Sequence, residues 1–102
     1  MGLKTIASKK EFLWHKHRTA IVMFSGEQCP ACVAAKPEFT KKANQSDKNF
    51  LLVDARKLQL SPADIGFTIT AIPCFASYRK NKIVEGPVTG YNETKIRSMI
   101  KR

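Results

Sequence analysis

Cys29-Pro30-Ala31-Cys32 is the segment of this sequence best equipped for chemistry. Two cysteines separated by two residues either exchange electrons as a dithiol and disulfide or supply half of a metal site. Zinc would need two further ligands. His15 and His17 stand two residues apart on a predicted helix, where they point different ways and do not pair as ligands. Redox chemistry is the reading that remains, with two inert thiols as the bland alternative. At a helix N-terminus the sulfur of Cys29 faces unpaired backbone N–H groups and the positive end of the macrodipole, which stabilise a thiolate. Cys29 is therefore the expected nucleophile. Pro30 costs nothing at the first helical position, where its missing N–H would have had no partner. Cys32, one turn deeper, can attack the mixed disulfide formed at Cys29 and release a reduced substrate. Cys74 is the third cysteine and lies outside this motif.

The elements that would position this pair follow from pattern. Leu3 to Ala7 reads as a short strand, and Ser8-Lys9-Lys10-Glu11 as a capping box opening a helix with Phe12, Leu13 and Trp14. Ala20 to Phe24 is an uninterrupted apolar run, as in a central strand covered on both faces. Ser25-Gly26-Glu27-Gln28 then turns the chain into Cys29. From Pro30 to about Asn44 the spacing predicts an amphipathic helix with Val33, Ala34 and Phe39 on its apolar side. Phe50 to Val53 is a second buried strand; Ser61-Pro62-Ala63-Asp64 opens a helix that Gly66 ends. Pro73 introduces the strand Cys74 to Tyr78, and Lys80-Asn81-Lys82 turns it into a strand whose Pro87 suits a sheet edge. Asn92 caps a last helix with Ile96, Met99 and Ile100 on one face. The order is βαβαβαββα: an α/β chain with a central mixed sheet flanked by helices.

Composition bounds the rest. At 102 residues the chain has room for one domain, spanning 1–102, with a modest core. Its 43% hydrophobic and 25% charged residues are those of an ordinary globular protein. The N-terminal residues contain no apolar run for a signal peptide, no later run would span a bilayer, and Ile6 spoils a myristoylation match at Met1-Gly2. The expectation is a soluble, cytoplasmic monomer. A net charge of +10 steers it toward anionic surfaces. The basic residues are scattered doublets with few aromatics between them, which favours acidic protein surfaces over nucleic acid.

Taken together, these features resemble the thioredoxin family over nearly the whole chain. Beyond Cys29 and Cys32, Pro37 stands where thioredoxins kink the active-site helix. Ile72-Pro73 resembles the family's cis-proline dipeptide, and Gly90 falls where a glycine lies beside the active site. The resemblance implies a groove in which the backbone of Ile72 pairs with an extended substrate segment, a form of strand addition. Gln28, Ile72, Pro73, Cys74 and Gly90 are the substrate-binding residues it suggests. It also implies protein disulfide substrates and a separate reductase or low-molecular thiol as electron donor, with no bound cofactor and no metal.

Three departures accompany the likeness. Gln28 replaces the tryptophan usual before the nucleophile, and the one tryptophan is Trp14. Met23 and Phe50 stand where thioredoxins bury an aspartate and its lysine partner; losing both together avoids an unpaired buried charge. Cys74 follows the proline, where the family commonly has threonine, and is expected close to Cys29, as a small replacement, a side-disulfide partner or a metal ligand. The expected activity is dithiol reduction of protein disulfides. Glutaredoxin-like or isomerase activity is the neighbouring alternative; an adaptor binding an acidic partner through its basic surface is the non-enzymatic one.

Overall fold

A computed structural model describes residues 2–102. It contains β1 (Leu3–Thr5), α1 (Lys9–His17), β2 (Thr19–Ser25), α2 (Pro30–Asn44), β3 (Phe50–Asp54), α3 (Pro62–Ile65), β4 (Cys74–Arg79), β5 (Lys82–Thr89) and α4 (Glu93–Lys101), in the expected order. The five strands form one sheet in the order β1-β3-β2-β4-β5. Strands β1, β3 and β2 run parallel; β4 is antiparallel to β2, and β5 to β4. The apolar run of β2 is thus at the centre of the sheet, and β5, with Pro87, is an edge.

Alternation along the strands divides the core into two layers. Ala20, Val22, Phe24, Leu51, Val53, Cys74, Ala76 and Tyr78 pack against Phe12 of α1 and Ile65 of α3. Ile21, Met23, Phe50 and Phe75 pack on the other face, against Cys32, Ala35 and Phe39 of α2 and Ile96 and Met99 of α4. Three aromatic contacts join the second layer, with Phe39 centred 5.1 Å from Phe50 and 5.3 Å from Phe75, and Phe75 5.8 Å from Tyr91.

Polar side chains fix where the helices begin. Ser8 Oγ accepts from the Glu11 amide at 3.1 Å. Glu11 accepts from the Ala7 amide at 2.8 Å rather than from Ser8 itself, so the expected capping box closes one residue early. The full box appears at α3, where Ser61 and Asp64 exchange bonds of 3.1 and 2.9 Å and Gly66 closes the turn at φ +98°. Strand β1 is shorter than the pattern predicts, although the Ile6 amide still reaches Leu52 O at 3.0 Å.

The apolar face of α2 differs from its expected one. Val33 is 72% exposed and Ala34 is exposed, while Cys32, Ala35, Phe39 and Ala43 form the buried stripe. Spacings of three and four residues from Cys32 give one face of a helix, and Val33 falls a residue out of phase. Pro37 lies on the exposed side, where a missing N–H disturbs no packing.

Candidate active site

Strand β2 ends at Ser25, beside Asp54 of β3, and the next three residues turn the chain into α2. Gly26 is needed for close approach: a Cβ there would lie 2.7 Å from Ile72 Cδ1. Gln28 adopts φ +52°, a left-handed conformation that costs a non-glycine residue about 1 kcal/mol and is common where a site must be aimed. It delivers Cys29 to the N-cap of α2. There Cys29 Sγ accepts from the Cys32 amide at 3.1 Å, taking the place a serine or aspartate oxygen usually holds.

Cys29 and Cys32 are joined as a disulfide, with their Cα atoms 5.2 Å apart, inside the usual range for such a bridge. Their environments differ. Cys32 is 3% exposed and belongs to the layer under α2, whereas Cys29 is only partly buried. An incoming reagent meets Cys29 first.

Across from this turn, Ile72-Pro73 is a cis peptide. The Ile72 carbonyl oxygen lies 3.8 Å from Cys29 Sγ, and Ile72 itself is 36% exposed. Pro73 is buried, and its carbonyl accepts from the Gly90 amide at 2.8 Å, which fastens the end of β5 to the proline loop. Gly90 has φ +80° and open space around its missing Cβ. The structure therefore brings Gln28, Cys29, Ile72, Pro73 and Gly90 to one end of the sheet. A cleft of about 650 Å³ adjoins them, walled by Ser25 to Gln28, Asp54 to Lys57 and Ile69 to Ile72.

Cys74 starts β4 at the same end of the sheet but faces the other way. Its register partner is Phe24, and its side chain lies in the α1/α3 layer, opposite the layer that holds the disulfide. Burial pushes its thiol pKa up, and it is 3% exposed. Strand alternation sends the side chain of residue 74 to the face away from the disulfide, although its backbone continues directly from the proline loop. Conversely, the pattern gave no role to Gly26 beyond a turn; its place between a buried strand and the cysteine pair was the available signal. Among the described residues no group of three or more His, Cys, Asp and Glu is gathered as for a metal ion, and no helix is long and apolar enough to cross a membrane.

The sequence profile described as Thioredoxin matches residues 4–102. The chain belongs to the thioredoxin family. Solved thioredoxins superpose on it over nearly their full length. That of Schistosoma mansoni is 26% identical with a TM-score of 0.79, covering 98% of this chain and 94% of its own. That of Plasmodium falciparum is 23% identical with a TM-score of 0.81, covering 96% of each chain. That of Fasciola hepatica is 25% identical with a TM-score of 0.76, again covering 96% of each. Among curated proteins no sequence matches. Membership makes the Cys29–Cys32 pair a thioredoxin-type redox disulfide and the chain a thiol–disulfide oxidoreductase, a class with protein disulfide substrates and a reductase partner.

Against the thioredoxin pattern, the replacement of the buried aspartate and lysine is visible in the packing. Met23 and Phe50 are fully buried in the same layer as Cys32, together with Phe39 and Phe75. The floor beneath the Cys32 sulfur is apolar.

Proposed function

We propose that this chain reduces disulfides in protein substrates by a dithiol mechanism, with Cys29 as nucleophile and Cys32 as resolving thiol. A donor first delivers two electrons and two protons to the Cys29–Cys32 disulfide. Cys29 then loses its proton, and the thiolate at the N-cap is held by the Cys32 amide and the positive end of α2. Its electron pair forms a bond to one substrate sulfur, and the substrate S–S bond breaks with departure of the other sulfur as thiolate, which takes up a proton. Cys32 loses its proton and attacks Cys29 Sγ, expelling the second substrate thiolate and restoring the Cys29–Cys32 disulfide.

An extended substrate segment lies along Ile72, an exposed residue beside Cys29, and hydrogen-bonds to its backbone, with Gln28, Pro73 and Gly90 bounding the groove. The electron donor is a separate reductase or a low-molecular thiol, and a reducing compartment such as the cytoplasm favours net reduction. The observation that carries this reading is the asymmetry of the pair, one sulfur accessible at a helix N-cap and the other buried one turn below.

Turnover of insulin disulfides tests it. Cys29→Ser abolishes reduction, and Cys32→Ser accumulates a mixed disulfide through position 29 that dithiothreitol releases. Undiminished turnover by Cys29→Ser would overturn the assignment.

A further inference from the structure

The end of the sheet remote from Cys29 carries a second organised surface. Strand β2 runs from Thr19 to Ser25, a span of roughly 20 Å at about 3.3 Å per residue, so its start lies far from the redox pair. Two turns meet there. The Lys80 amide donates to Arg18 O at 2.9 Å, and the Asn81 amide to Lys16 O at 3.1 Å. Strand pairing adds Thr19 opposite Arg79 and Arg79 opposite Lys82. Arg18, Arg79, Lys80 and Lys82 are all exposed, and none of them is in an ion pair among the described residues.

The opposing charge is sparse. No Asp or Glu occurs between Glu11 and Glu27 or between Asp64 and Glu85, the two stretches that build these turns. The loop before β3 brings Asp47 to the same end, but also Lys48, and Lys4 reaches Asn49 Oδ1 at 2.9 Å there. Trp14, 57% exposed, borders the patch, with Arg18 Cζ 4.6 Å from its ring centre. That stacking holds the guanidinium in place without neutralising it.

We propose that this basic pole docks an acidic segment of a partner protein, leaving Cys29 free at the opposite end. Charge complementarity selects the occupant. A second copy brings the same +10 and is repelled. A bilayer would call for apolar side chains to insert, and Trp14 has Arg18 packed on its ring. Single-stranded nucleic acid binds along grooves with successive stacking platforms, whereas this is a blunt end with one aromatic. Neighbouring turn cations suit a run of carboxylates.

Trp14 is the only tryptophan, so its fluorescence reads this surface directly. The oxidised protein is titrated with a synthetic twelve-residue peptide of alternating Glu and Gly. A saturable change in Trp14 emission is expected. The affinity falls about tenfold in Lys80→Glu/Lys82→Glu and about fivefold in Lys82→Glu alone, while Lys41→Glu/Lys95→Glu, with the same change in net charge, stays within about twofold. Insulin reduction is unchanged in all three, which separates the docking claim from the redox one. Equal losses in the two double variants would reduce the effect to net charge and overturn the site. So would stronger binding of a twenty-nucleotide oligothymidylate, or of vesicles containing phosphatidylserine.

Discussion

At the scale of single residues, the chemistry depends on which face of the sheet each side chain joins. Cys74 was legible as a thiol near the site in sequence, but its face was set by a register that spacing alone did not reveal. Because it is buried and its pKa is raised, iodoacetamide is expected to leave Cys74 unlabelled in the native oxidised protein and to label it in denaturant. Mass mapping checks this, and a Cys29–Cys74 linkage would contradict it. Gly26 was legible only as a turn, because its close approach to Ile72 joins residues far apart in sequence. Gly26→Ala places a methyl 2.7 Å from Ile72 Cδ1, the far end of a flexible side chain, so the isoleucine shifts and the chain still folds. The expected result is a KM for insulin raised roughly threefold to tenfold, with kcat little altered and a stability loss of about 1 kcal/mol. Met23 and Phe50 carry a third consequence. With no Asp or Glu buried among the described residues, the pH profile of the resolving step is expected to lack a carboxylate inflection. Rapid-quench kinetics on a preformed mixed disulfide measure it; an inflection lost on mutating Glu27 or Asp54 would contradict it.

At the scale of elements, the helix starts were the most legible parts, because capping is local: Ser8, Ser61 and Asn92 all accept the bonds their positions predict. The phase of α2 was not, since Val33 and Ala34 are as apolar as the residues that are buried and only the position of the sheet distinguishes them. His15 shows what an element's packing adds. It lies 8% exposed on α1, with Nδ1 3.0 Å from Asn49 Nδ2. Desolvation, then the charge of Lys4, lowers its pKa below 6.5, with Glu11 opposing and Arg18 adding to the effect. The unfolded chain therefore takes up its proton first as the pH falls. The contribution of His15 to stability is full above about pH 6.5, and it is lost as pH falls through the lower folded value. Urea unfolding between pH 7.5 and 5 is expected to show that loss, and His15→Gln, which can still bond Asn49, to flatten that part of the curve.

At the scale of the whole molecule, the alternation of strands and helices and the motif at the start of α2 were enough to read the architecture, whereas the basic pole was not, because it is assembled from turns some sixty residues apart. The two-layer core also separates stability from chemistry. The α1/α3 layer is fastened by long-range polar bonds that do not touch the disulfide: Lys16 Nζ donates to Asp64 O at 2.6 Å, and the buried Tyr78 hydroxyl to Ile65 O at 2.6 Å. Tyr78→Phe keeps the ring that packs edge-on against Phe12 but leaves the Ile65 carbonyl without that donor. Loss of such a buried bond costs about 1–3 kcal/mol, which for a domain of this size lowers Tm by roughly 5–15 °C. The redox pair lies on the other face, under α2, so kcat/KM for insulin reduction at 25 °C is expected to remain within about twofold of the parent. Thermal melts and turnover on the same preparation decide the matter: a large loss of activity with Tm unchanged would mean that the α1/α3 layer is coupled to the redox site and that the division of labour between the two faces is wrong.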